Sequence, residues 1–191
     1  MNQAVEEKPI IKFDNAQSAI GWAEEVLLRS GVKSQIGTIM KSNRQGGSSG
    51  ISLEDVKDLA HTISVIANNC PVHAAGRLFC EVYGAWDNAR LLGASDFLAH
   101  ELHRSDEGER KEIAKIRGMA GCVIENVRYK ELGLERRVTR SMMAKNMYIT
   151  RQSFSESGWS KLLSECYNNI YLHLEQAERH ITERLDEVGV F

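Results

Sequence analysis

Between Trp159 and Leu185 the apolar residues Trp159, Leu162, Leu163, Cys166, Ile170, Leu174, Ala177, Ile181 and Leu185 recur every three or four positions. Side chains at that spacing return to one side of an α-helix, so the run predicts a single long helix with an apolar stripe. The stripe must be covered, either as the spine of the chain's own core or as the seam of a homo-oligomer. The rest of the composition agrees with helices: there are only two prolines, aromatics make up 7%, and Ala, Leu, Glu, Arg and Ile recur at three- and four-residue spacing. No alternating strand pattern and no internal repeat are visible. The expected fold class is all-α, a helical bundle whose C-terminal part is a helix-turn-helix leading into a long amphipathic helix.

Four segments are expected. Residues 1–41 form an N-terminal helical piece, with Ala19, Ile20, Ala23, Val26 and Leu27 on one face behind the caps Asp14 and Asn15. Residues 42–50, within SNRQGGSSG, read as a flexible glycine/serine linker. Residues 51–132 form a central helical core. Its first helix is capped by Ser52 with Asp55 and has the face Leu53, Val56, Leu59, Ala60, Ile63 and Ile66. The next starts at Pro71 and keeps its period through Val72, Ala75, Leu78, Phe79, Val82, Trp86, Ala89 and Leu92, with breaks at Gly84 and Gly93. After a charged link, Arg104 to Arg110, a helix from Ile113 to Leu132 carries Ile116, Met119, Ala120, Val123, Ile124 and Val127, and Gly133 stops it. Residues 133–191 hold the helix-turn-helix and the long helix.

Cys70, Cys80, Cys122 and Cys166 are scattered without a C-x-x-C pair, so they read as free thiols and not as zinc ligands. The N-terminus MNQAVEEKPIIKFDN lacks the apolar core of a signal peptide, and no apolar run reaches the ~20 residues that span a bilayer. A cytoplasmic location is the expectation. A formal charge of -2 argues against wholesale coating of nucleic acid, but the charge is uneven. Arg128, Lys130, Arg136, Arg137, Arg140, Lys145, Arg151 and Lys161 crowd a stretch with only Glu131, Glu135 and Glu156 as acids, and the chain after it is acidic.

Inside that basic stretch lies AKNMYITRQSFSESGWSKLL, Ala144 to Leu163. A helix-turn-helix needs a small residue where its two helices approach, a tight turn, and apolar residues that lock the second helix while its first-turn polar side chains face outward. Ala144 is the small residue, Met143 and Met147 anchor the first helix, Ile149 follows the turn, and Phe154 packs back. Thr150 can cap the second helix, leaving Arg151, Gln152, Ser153 and Ser155 outward, where such a helix reads base edges. One position departs from the pattern: the turn commonly has glycine where this chain has Tyr148, a bulky residue for a positive φ, unless a shifted turn puts Asn146 there. A packed helical corner with solvated basic residues is the bland alternative. The cluster of Arg136, Arg137 and Arg140 with Lys145 and Lys161 tilts the reading to phosphate contact.

The layout resembles the antitermination Q proteins of lambdoid phages and related phage late-gene regulators, through Trp22 with its following helix and linker and through MAKNMYITRQSFSESGW and the helix after it. The resemblance implies a transcription regulator that binds double-stranded DNA near a late promoter and acts on RNA polymerase. Some members carry a zinc-binding cysteine cluster that this chain lacks, so no cofactor or metal is expected. Two other readings stay open. One is a DNA-packaging subunit of the small-terminase kind, with the long stripe as its ring seam. The other is a helical module whose stripe docks a partner helix without DNA.

Other features read as bland. His100 and His103 at i, i+3 lack a third ligand nearby and suit a helix end. His173 and His180 fit an exposed polar face, and His61 and His73 suggest no site. The GGSSG run lacks the lysine and strand context of a phosphate loop. Trp22, Trp86 and Trp159 read as core, and no catalytic triad can be assembled, so an enzyme is not expected.

Overall fold

The apolar stripe of the C-terminal helix is spent inside the molecule. A computed structural model describes residues 11–29, 52–105, 112–135, 137–156 and 158–191, and these form an all-α structure with no strand among them. Eight helices follow in order: α1 (Ala16–Arg29), α2 (Leu53–Asn68), α3 (His73–Tyr83), α4 (Asn88–Ser105), α5 (Ile113–Glu131), α6 (Arg140–Asn146), α7 (Arg151–Glu156) and α8 (Trp159–Glu187). The linker 42–50 and most of the link after Arg104 lie outside the described residues.

Local chemistry sets the helix ends. Asn15 accepts the Ser18 N–H at 2.8 Å before α1. At α2 the Ser52 hydroxyl accepts from the Asp55 N–H while the Asp55 carboxylate accepts from the Ser52 N–H, satisfying two donors that the helix cannot bond itself. Gly133 and Gly189, both at positive φ, follow α5 and α8. After each, the next N–H reaches back to the last turn, Leu134 to Tyr129 at 2.7 Å and Val190 to Leu185 at 3.0 Å. The buried Val190 in turn accepts from the Phe13 N–H, so the two ends of the described chain meet.

One hydrophobic core contains the faces of all eight helices, α1 included. α8 is its spine, touching every helix but α6. Trp159, Leu162, Cys166, Ile170, Leu174, Ala177, Ile181 and Leu185 are all buried. Burying a large aliphatic side chain stabilises by roughly 1.5–3 kcal/mol, so presenting this stripe to a second chain would forfeit a large part of the core's stabilisation. Of the two uses expected for the stripe, these residues serve as the spine of the chain's own core.

Three smaller expectations are also corrected. The period drawn through Trp86, Ala89 and Leu92 crosses the bend after α3, which resets the helical phase. Trp86 lies in the connection, 44% exposed, and Leu92 points to solvent, while Ala94, Leu98, Ala99 and Leu102 form the buried face of α4. Gly93 sits within α4 and breaks nothing. His173 is buried and not part of an exposed face. It lies three residues after Ile170 and four before Ala177, on the core side, where its Nε2 meets the Glu101 carboxylate at 2.8 Å.

Candidate nucleic-acid interface

The chain between α5 and α8 is held as a corner. After Gly133 it turns back, and the Asn126 side chain clamps it: Oδ1 accepts the Val138 N–H at 2.6 Å and Nδ2 donates to the Val138 carbonyl at 3.0 Å. Thr139 caps α6 by accepting the Met142 N–H at 3.3 Å. α6 then runs antiparallel along α5, from Asn126 back to Gly118. A Cβ on Gly118 would lie 2.7 Å from the Asn146 carbonyl oxygen, so the missing side chain is what admits the end of α6. The Asn146 amide donates to the Cys122 sulfur at 3.0 Å, and burial pushes that thiol's pKa up, keeping it protonated.

The turn follows at once. Met147 is the last residue with helical dihedrals, and Tyr148 takes the left-handed conformation at φ +55°. Its N–H donates to the Lys145 carbonyl and the Ile149 N–H to the Ala144 carbonyl, each at 3.0 Å, the two-bond closure of a helix that normally has glycine at this position. Tyrosine there costs about 1–2 kcal/mol in backbone strain. The left-handed residue is thus Tyr148 and not Asn146. Thr150 then caps α7, accepting the Ser153 N–H at 3.0 Å. Met143, Ala144, Met147 and Phe154 are buried, and Ile149 packs on the core. α7 is short, ending at Glu156, and Gly158 at φ +71° turns the chain into α8.

Arg137, Arg140, Lys145, Thr150, Arg151, Gln152, Ser155 and Lys161 are all exposed. Some of the expected outward residues are partly engaged and Ser153 is turned in. The Ser155 hydroxyl donates to the Arg151 carbonyl at 3.2 Å, Lys161 pairs with Glu165 at 3.7 Å, and Ser153 is half-buried. Arg136 lies outside the described residues.

The basic stretch of the sequence is not one surface. Arg128 and Lys130 sit at the far end of α5, ten or more residues from Gly118 and so about 15 Å along the helix axis. Arg128 is turned inward: it donates to the Glu81 and Gly84 carbonyls and lies over the Trp86 ring. Lys130 donates to the Tyr171 hydroxyl at 2.9 Å.

Around Arg128 lies a buried charge network that periodicity does not reveal. Arg90 forks onto the Glu24 carboxylate at 2.6 and 2.7 Å, and its Nε is 3.7 Å from Glu81, a fully buried carboxylate with no hydrogen-bond partner. Burial pushes the Glu81 carboxyl up to about 7, against the pull of Arg90 and Arg128. The network ties α1, α3, α4 and α5 to the connection after α3. On another side, Glu101, Arg104, Glu165 and Asn169 line an open cleft of about 580 Å³ between α4 and α8. Among the described residues no three His, Cys, Asp or Glu side chains are grouped to hold a metal ion, and no helix is long and apolar enough to cross a membrane. All four cysteines are buried free thiols, none in a disulfide.

No family model, curated protein or solved structure matches the chain.

Proposed function

We propose that the chain is a duplex-DNA-binding transcription regulator and that the α6–α7 corner is its helix-turn-helix, with α7 as the reader. The observation that carries this reading is the exposure of Arg151 and Gln152 on a helix whose other side is locked by buried Phe154 and half-buried Ile149. A six-residue helix is about 9 Å long. With its side chains a helix is about 10–12 Å across, so a major groove about 12 Å wide admits it, and the first-turn side chains of α7 are of the types that pair with guanine and adenine edges. On this reading the exposed Arg137, Arg140 and Lys145 supply the phosphate contacts that fix the register.

Action on RNA polymerase as an antitermination factor is supported by the resemblance to phage late-gene regulators alone. Between the DNA readings, regulation is favoured over packaging because the stripe that would seal a ring is buried within one chain. The test is selection of bound sequences from random duplex DNA by the full-length protein. Enrichment of one motif supports the reading, and a pool that stays random at low salt, where phosphate attraction is strongest, overturns it.

A further inference from the structure

We infer that Tyr148 is itself a DNA contact, its phenol hydroxyl donating to a phosphate oxygen of the duplex with the ring against the adjoining sugar. The inference rests on the duplex-binding reading and deepens it by adding a residue that the helix-turn-helix pattern would assign to glycine.

Four described residues have positive φ, and three of them, Gly133, Gly158 and Gly189, are glycines at helix boundaries. Among the described residues, glycine therefore stands wherever the backbone enters this region, except at the corner. The exception does not fill the core, since Tyr148 is 95% exposed, and among the described residues its hydroxyl makes no hydrogen bond. A bulky aromatic held in a strained conformation and in solvent contributes nothing to the fold that glycine would not do better. The turn fixes the direction in which its Cα–Cβ bond leaves the chain: the two closing hydrogen bonds lock its backbone between the carbonyl of Lys145 and the capped start of α7. Lys145 and Arg151, both exposed, flank it in sequence. Tyrosine is among the side chains that donate to phosphate, and a phosphate drawn in by these two cations is the acceptor the hydroxyl lacks.

Two variants test this, with melting temperature and affinity for short mixed-sequence duplex DNA at low salt read on each. Tyr148→Gly relieves the strain and should raise Tm by about 2–8 °C, while weakening binding roughly tenfold. Tyr148→Phe keeps the ring and the strain, leaves Tm unchanged and weakens binding by a smaller factor, on the order of threefold. A Tyr148→Gly protein that binds as tightly as wild type overturns the inference while leaving duplex binding intact. A wild-type protein that binds no duplex overturns the underlying reading instead, and Tyr148 with it.

Discussion

Gly118 and the Asn146 carbonyl oxygen stand so close that a single added methyl would come within 2.7 Å of that oxygen. The neighbour is backbone, which cannot swing aside, so the end of α6 must move. Gly118→Ala should destabilise the protein by about 1–3 kcal/mol through overpacking, although alanine is the better helix former. A chemical-denaturation midpoint measures this. Because α6 carries Arg140 and Lys145, the same change should weaken duplex binding; a variant as stable as wild type would contradict the assigned approach.

The basic residues sort into two groups by position and not by sequence proximity. Lys145 and Arg140 lie on the corner, whereas Lys130 lies against Tyr171 at the other end of α5. Each lost phosphate contact should flatten the dependence of log affinity on log salt by about 0.9. Lys145→Ala and Arg140→Ala are each expected to do so, and Lys130→Ala is expected to leave both slope and affinity unchanged. Salt titrations of binding for the three variants decide it.

Glu81 makes stability depend on pH. Its folded carboxyl titrates near 7, above the ordinary 4.5, because burial disfavours the charged form. Below the ordinary value both folded and unfolded states are protonated. As pH rises through the interval, the unfolded chain ionises first, so stability falls until the folded carboxyl also ionises near 7. The loss should be on the order of 1–3 kcal/mol. Glu81→Gln should remove it, giving a flatter stability profile from about pH 5 to 7 and a more stable protein than wild type above that range. Thermal unfolding across pH measures both.

Much of the architecture was legible because period and capping are local properties. Ser52 with Asp55, Thr150 and Gly133 mark helix ends by chemistry that acts within a few residues, and the faces of α1, α2, α5 and α8 follow from spacing alone. Whether the α8 stripe is a spine or a seam depends on what lies against it, which spacing does not encode. The same limit explains Trp86, assigned to a face whose phase is reset between Tyr83 and Asn88, and Arg128, counted as surface charge though the folded chain turns it onto backbone carbonyls. His173 had a usable signal, since it falls on the stripe between Ile170 and Ala177. Gly118, Asn126 and the Glu24–Arg90–Glu81 network had none, because each acts across a long stretch of chain. At the corner, the anchoring residues and the cap were readable, and the place of Tyr148 required the backbone.

The most direct test of the account is the affinity of the Arg151→Ala, Gln152→Ala double variant for a selected duplex site, beside its circular dichroism. Both side chains are exposed on α7, so the helical signal should be kept. Loss of two base-edge contacts, each worth roughly 1–3 kcal/mol, should lower specific affinity by at least tenfold and leave weak, salt-sensitive binding. Unchanged affinity for that site in a folded double variant would contradict α7 as the reading helix.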